Sequence, residues 1–245
     1  MTALGIIPAR FASSRFEGKA LAPLGGRPVL QHVYEGATQA SLLAEVIIAT
    51  DDERIAAAAA AFGARAVMTS RDHVSGTDRV AEAAAASQAD VVVNIQGDEP
   101  FISGRAIDQA VEPFLTRPDL RMTTLMRRID DEDAVRDPNV VKVVTDQEGY
   151  ALYFSRSPIP YPRRTEGSRA YEHIGLYAYR REFLLLLAGL PQGRLEKAEA
   201  LEQLRVLENG YRIWVAETTS HVGLSIDTPD DLQRAERFLQ ERGPV

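Results

Sequence analysis

The sequence predicts an α/β protein built on a doubly wound, mostly parallel sheet. Two observations carry that expectation. Up to Leu120, short apolar strands alternate with alanine-rich segments of helical periodicity, the alternation that builds βαβ units. The run ADVVVNIQ, Ala89–Gln96, is nearly continuous in apolar character, as in a parallel strand buried on both faces. A chain of 245 residues, 45% hydrophobic and 26% charged, suits one such domain over residues 1–245.

The elements follow in order. LGIIPA (4–9) is the first strand. PVLQHVYEGATQA, Pro28–Ala40, is a helix with proline at its start and Val29, Leu30, Val33 and Ala37 on one face. EVIIAT, Glu45–Thr50, is the second strand. DDERIAAAAAAF, Asp51–Phe62, is a helix with acids in its first turn and Gly63 after its end. ARAVMT (64–69) is the third strand, and GTDRVAEAAAAS (76–87) a helix that either Ser75 or Thr77 would cap. The fourth strand is Ala89–Gln96, followed by the helix ISGRAIDQAVEPFL (102–115).

Beyond Leu120 the pattern becomes strand-rich. RMTTLMRRI, NVVKVVTD, GYALYFSR and EHIGLYAYR read as strands with little helix between them, and Ser157–Glu172 as a loop rich in Pro, Arg and Ser. The expectation is an extension of the sheet with a flap or dimer arm over about residues 150–180. REFLLLLAGL reads as a buried helix, Glu196–Gly210 as one helix, YRIWVAET as a strand, and TPDDLQRAERFLQER as the last helix.

Composition limits the function classes. A net charge of −7 argues against a protein that wraps nucleic acid or coats an anionic membrane. With no cysteine there is neither a disulfide scaffold nor a thiolate metal site. The N-terminus lacks signal-peptide features, and neither MTALGIIPA nor REFLLLLAGL is long enough to span a bilayer. A soluble, cytoplasmic protein is expected. The dinucleotide fingerprint, the phosphate loop, H-E-x-x-H and G-x-S-x-G are all absent, and four scattered histidines do not make a zinc site.

What remains is a cationic loop after the first strand. Arg10, Arg15 and Lys19 stand among small residues and Gly18. In a doubly wound sheet, the loops at the strand C-terminal ends share one edge, where ligands bind. The segment QGDEP after strand four shares that edge and supplies Asp98, and IDTP supplies Asp227. Cations on a small-residue loop suit a triphosphate. Opposed carboxylates suit Mg²⁺, which binds through one or two acids plus substrate phosphates. Together they fit phosphoryl-type transfer, which needs little covalent machinery. From the residues alone, a merely structural loop remains open.

The motif R-x-x-S-x-R-x-x-x-K, filled by Arg10, Ser13, Arg15 and Lys19, resembles the N-terminal signature of the sugar cytidylyltransferases. DHVSGTDRVAE, VVNIQGDEPFI, PNVVKVV, GYALYFSRSPIP, EHIGLYAYR, LEQLRVLENG and IDTPDDL follow in order and cover nearly the whole chain. The set is similar to the 3-deoxy-D-manno-octulosonate (Kdo) cytidylyltransferases, of the Rossmann-like nucleotide-diphospho-sugar transferase fold.

That resemblance implies CMP transfer from CTP to the anomeric hydroxyl of Kdo, with pyrophosphate leaving, for lipopolysaccharide biosynthesis. It implies Arg10, Arg15 and Lys19 on the triphosphate, and Asp98 and Asp227 as Mg²⁺ ligands. Ser13 would bond a phosphate or shape the turn. Ser75, Gly76, Thr77, Arg79 and Gln96 would face the nucleotide; a glutamine both donates and accepts, as the cytosine edge requires. Arg156, His173, Tyr177, Glu202 and Gln203 would contact the sugar acid, with Arg156 on its carboxylate. His173 and Tyr177 share a side of their strand, while Glu202 and Gln203 on one helix would diverge by about 100°. Lys142 is electrostatically suited to a phosphate. A homodimer is implied.

Departures from the pattern are Phe16-Glu17 before Gly18-Lys19, the missing Pro-Leu-Glu turn before the sugar-facing helix, and Ser225 ahead of Asp227. They leave 8-amino-Kdo or a sialic acid type substrate open. Further alternatives are a glycosyltransferase of related fold, although Asp98-Glu99 is not its D-x-D pair, and a non-catalytic nucleotide-binding regulator.

Overall fold

A computed structural model describes residues 1–12, 15–163, 169–220 and 224–242. Its centre is a nine-stranded sheet. In chain order the main path uses β1 (Ala3–Ala9), β2 (Glu45–Thr50), β3 (Arg65–Met68), β4 (Val91–Asn94) and β5 (Met122–Arg128), then the hairpin β6 (Lys142–Thr145) and β7 (Ala151–Ser155), and finally β8 (Tyr171–Arg180) and β9 (Trp214–Glu217). The spatial order is β9-β5-β8-β4-β1-β2-β3, with β6 and β7 attached beside β8. β1 pairs in parallel with β2 and β4, β2 with β3, and β9 with β5. β8 alone on that path runs against its neighbours β4 and β5. The mostly parallel sheet expected from the sequence is therefore present, and the strand-rich second half joins it.

Period-two burial explains why β1 and β4 read as solid apolar runs. Ile7, Val91, Val93 and Ile95 face one core layer, with Leu30 and Val33 of α1 (Val29–Thr38) and Ala106 and Ile107 of α4 (Gly104–Val111). Leu4, Ile6 and Val92 face the other, with Val80 and Ala84 of α3 (Gly76–Ala85) and Phe183 and Leu184 of α7 (Arg181–Ala188). Each fully buried Val, Leu or Ile contributes about 1.5–3 kcal/mol. α2 (Glu53–Ala61) is capped by Asp52, whose side chain accepts from the Arg54 amide. A third cluster, Leu24, Val29, Ile226 and Ala235, seats α10 (Pro229–Arg242) against the first loop.

Three expectations need correction, and one short helix adds to the strand-rich region. The helix expected over 102–115 is interrupted: α4 ends at Val111, and Pro113, which lacks an amide donor, opens the short α5 (Pro113–Thr116). A short helix, α6 (Glu132–Arg136), lies in the strand-rich region, with Asp131 accepting from the Asp133 amide. The helix expected over Glu196–Gly210 is two, α8 (Arg194–Glu199) and α9 (Leu204–Glu208). Ala200 ends α8 in the left-handed region, φ 50°, which stops helical hydrogen bonding. Glu202 and Gln203 thus lie in the connection between α8 and α9, and the divergence expected on a continuous helix does not apply. Lys142 is fully buried, its ammonium donating to the carbonyls of Asp137, Val140 and Arg156. Those three acceptors satisfy its donors, so it ties the base of the β6–β7 hairpin and does not meet a phosphate. Burial pulls its pKa down.

Candidate active site

The C-terminal end of β1 runs into the cationic loop. The Gly18 amide donates to the Phe11 carbonyl at 2.9 Å, closing the loop on itself. Gly18 has φ +70°, and a Cβ there would meet the Phe11 ring at 3.1 Å. Glycine is required on both counts. On the ring's aromatic face lies the Arg54 guanidinium, 3.3 Å from the centroid, itself held by Asp52. A 3₁₀ turn, Lys19–Leu21, then aims Lys19 inward.

Asp98 arrives on the loop after β4. Gly97 lets that loop press on β1, since a Cβ there would lie 2.7 Å from the Pro8 carbonyl oxygen. The Ile226 amide donates to the Asp98 carbonyl at 2.8 Å, which brings Asp227 alongside. The turn into α10 is shaped by its neighbours: Thr228 and Asp231 bond reciprocally, and the Asp231 carboxylate also accepts from the Asp227 amide at 3.1 Å. Asp227 therefore keeps its own carboxylate for the site.

There the charges converge. Lys19 Nζ lies 2.6 Å from Asp98 Oδ2 and 3.0 Å from Asp227 Oδ1, and Arg15 Nη2 lies 3.1 Å from the same Asp227 oxygen. Burial by itself would lower the Lys19 pKa; the two carboxylates outweigh it and hold the ammonium above its ordinary value. Among the described residues no group of three or more His, Cys, Asp or Glu could hold a metal. Two hard carboxylates converging on one point still fit Mg²⁺, which takes its remaining ligands from phosphates and water.

These residues line a cavity of about 320 Å³ with Arg10, Ser75, Gly76, Arg79 and Gln96. Ser75 caps α3, its hydroxyl accepting from the Asp78 amide while Asp78 accepts from the Ser75 amide. The positive end of α3 thus opens toward the cavity, as anion sites require. Arg79, nearly fully buried, spends its guanidinium on Asp51, Thr69 and the Ser70 carbonyl, so it binds α3 to the ends of β2 and β3. Gln96 donates to Asn94 Oδ1 at 3.4 Å. Thr77 lies behind the wall, donating to Glu202 Oε2 at 2.6 Å. Ser13 falls outside the described residues.

The sugar-side residues divide. The His173 and Tyr177 rings are 5.4 Å apart, so they do share a side, across a bulge in the β8–β5 register. Burial pushes His173 down to about 3 and its Nε2 contacts Thr124 Oγ1 at 3.0 Å, so the ring is neutral. Burial raises the Tyr177 phenol, helped by the charges of Glu202 and Glu99. Glu202 Oε1 and Gln203 Nε2 are buried without a hydrogen-bond partner among the described residues. Arg156 stands apart from the cavity lining: its guanidinium donates to the carbonyls of Glu199, Pro138 and Ala200.

Three residues at or near the site stand outside the expectations from sequence. His73 lines the cavity mouth and bonds to Glu82; its place in DHVSGTDR, just before the α3 cap, was the available signal. Glu99 beside Asp98 is pushed up to about 8 by burial and by the charges of Asp98 and Glu172. Arg205 is clamped by Glu196 and lies 3.7 Å from Glu202 Oε1. Neither Glu99 nor Arg205 has a spacing that marks it.

The comparisons with known proteins agree with this geometry. A family model described as "Cytidylyltransferase" matches residues 4–213. The chain is 56% identical to a 3-deoxy-manno-octulosonate cytidylyltransferase of Solibacter usitatus, over 97% of this chain and 94% of that one. It is 55% identical to a protein of the same name from Geotalea daltonii, over 99% and 100%. A solved structure of CMP:2-keto-3-deoxy-manno-octonic acid synthetase complexed with CTP superposes with a TM-score of 0.95 at 43% identity, covering 99% of this chain and 100% of that one.

Proposed function

The chain belongs to the cytidylyltransferase family, in its 3-deoxy-manno-octulosonate branch, and on that footing we propose that it transfers CMP from CTP to the anomeric hydroxyl of Kdo. The single observation carrying the mechanism is the Lys19 ammonium shared by Asp98 and Asp227, with Arg15 alongside, at the open end of α3. The Kdo anomeric oxygen attacks the α-phosphorus, the bond to the pyrophosphate oxygen breaks, and the hydroxyl proton is lost to solvent or base.

Arg10, Arg15 and Lys19 hold the triphosphate, and Lys19 offsets charge growing on the departing pyrophosphate. For this, Lys19 and Arg15 exchange carboxylate for phosphate partners, leaving Asp98 and Asp227 to hold Mg²⁺. Held by those two carboxylates, Mg²⁺ would supply positive charge that offsets the charge of the reacting phosphate. Ser75, Gly76 and Gln96 face the nucleotide, as the cavity lining supports. The α3 amides favour the phosphates.

Glu202 Oε1 accepts and Gln203 Nε2 donates toward the sugar hydroxyls; neither has a hydrogen-bond partner among the described residues, although Arg205 stands 3.7 Å from Glu202 Oε1. Neutral His173 and the protonated Tyr177 phenol complete that wall. Arg156 takes the sugar carboxylate through Nη2, the most weakly engaged arm of its fork, at 3.4 Å from the Ala200 carbonyl.

Among the described residues no helix is long and apolar enough to cross a membrane, in keeping with soluble substrates in the cytoplasm, where the product would serve lipopolysaccharide synthesis. A homodimer through the arm fits the exposure of Leu152 on edge strand β7 and of Tyr161 beyond it.

Pyrophosphate release from CTP and Mg²⁺, measured with Kdo, 8-amino-Kdo, sialic acid or no sugar, tests the proposal. Release with Kdo is expected. Preference for another acid would reassign the substrate, and CTP binding without release for any acid would remove the catalytic assignment.

A further inference from the structure

We infer that Thr77 is a positioning residue for the sugar acid, acting through Glu202 rather than touching the nucleotide. The resemblance groups Thr77 with the nucleotide-facing residues, but the structure puts it elsewhere. Ser75 and Gly76 line the nucleotide cavity; Thr77 is buried behind them, 4% exposed. Nor does Thr77 cap α3, because Ser75 and Asp78 already satisfy that end reciprocally. Its hydroxyl is thus left for a tertiary contact, and it donates to Glu202 Oε2 at 2.6 Å, across 125 residues of sequence. A hydroxyl bonded to a carboxylate at that distance is charge-assisted and strongly directional.

Glu202 needs such support. It lies in the connection between α8 and α9, where its carbonyl accepts from the Arg205 amide at 3.0 Å but no helix holds its side chain. Arg205 approaches its other oxygen, Oε1, only to 3.7 Å. With Oε2 pinned by Thr77, Oε1 is held as a buried acceptor without a hydrogen-bond partner among the described residues, as is Nε2 of the next residue, Gln203. A buried acceptor and a buried donor on adjacent residues, both without a hydrogen bond, suit a hydroxylated ligand. Thr77 also accepts weakly from Asn94 Nδ2 at 3.5 Å, and Asn94 from Gln96 of the nucleotide cavity at 3.4 Å. One polar line therefore runs from the nucleotide wall to the sugar wall, and Thr77 is its link to Glu202.

The inference rests on the reading of Glu202 as a contact to the sugar acid, so the wild-type enzyme is assayed beside the variants. Kdo-dependent pyrophosphate release by the wild type with a raised Kdo KM in Glu202→Gln upholds that reading; an unchanged Kdo KM in Glu202→Gln would remove it before Thr77 is considered. Given wild-type turnover, Thr77→Val, which keeps the shape but not the hydroxyl, should raise the KM for Kdo about tenfold or more. The KM for CTP should stay within about twofold. Thr77→Ser should restore the Kdo KM, and Thr77→Val should add nothing further in a Glu202→Gln background. Should the valine variant misfold, Thr77→Ala is measured in the same way, with melting curves to confirm folding. A rise in the CTP KM with the Kdo KM unchanged would return Thr77 to the nucleotide. Unchanged values for both substrates, or full additivity with Glu202→Gln, would overturn the inference.

Discussion

Lys19 bridges Asp98 and Asp227: its Nζ is 2.6 Å from the first carboxylate and 3.0 Å from the second. The three side chains come from the first loop, the loop after β4 and the turn before α10, so three distant segments meet around one ammonium. Replacing Lys19 with Met keeps the stem and removes the charge. We expect kcat/KM to fall about a hundredfold or more, the scale for losing one group that stabilises transition-state charge. Steady-state kinetics of pyrophosphate release check this, and turnover within a few-fold of wild type would exclude Lys19 from phosphate contact.

Gly97 sets how closely the Asp98 loop approaches β1. An added Cβ would lie 2.7 Å from the Pro8 carbonyl oxygen, and backbone cannot yield as a flexible side chain can. Gly97→Ala should displace Asp98, lowering both the melting temperature and turnover. Wild-type values for both would show that the loop has slack.

Ser75 is a structural cap. Ser75→Ala removes the acceptor for the Asp78 amide and should cost about 1 kcal/mol, the usual value for an N-cap. Chemical denaturation reads this directly; an unchanged midpoint would mean that the Ser75 hydroxyl does not stabilise α3 as its cap.

His173 makes stability depend on pH. Its folded pKa, about 3, lies below the ordinary 6.5 because burial disfavours the charged ring. Between those values the unfolded chain binds a proton that the folded chain does not, so stability falls as pH drops below about 6.5, by at most about 1.4 kcal/mol per pH unit. The loss is absent above that range. Denaturation at pH 7 and pH 5 should show a smaller difference for His173→Gln than for wild type, and equal differences would assign the acid sensitivity to other groups.

Much of this was legible in the sequence because the signals were local. β4 could be read because Val91, Val92 and Val93 are buried on alternating faces of a sheet covered on both sides. Arg10, Arg15 and Lys19 could be read because three cations on a glycine-containing loop have few structural uses. The break at Ala200 was hidden: alanine favours helix locally, and only the tertiary setting holds it at φ 50°. Lys142 misled for the opposite reason, since sequence shows a charge but not the three carbonyls that enclose it. The role of Asp227 lay between these cases. Its turn motif is local, but the freedom of its carboxylate depends on Asp231 taking the capping bonds.

The central claim is that Asp98 and Asp227 form the metal-binding pair that makes the triphosphate reactive, and Asp98→Ala tests it most directly. CTP binding, followed by calorimetry, should persist, because Arg10, Arg15 and Lys19 remain. Turnover at saturating Mg²⁺ should fall by about two orders of magnitude or more. Normal turnover in that variant would contradict the account.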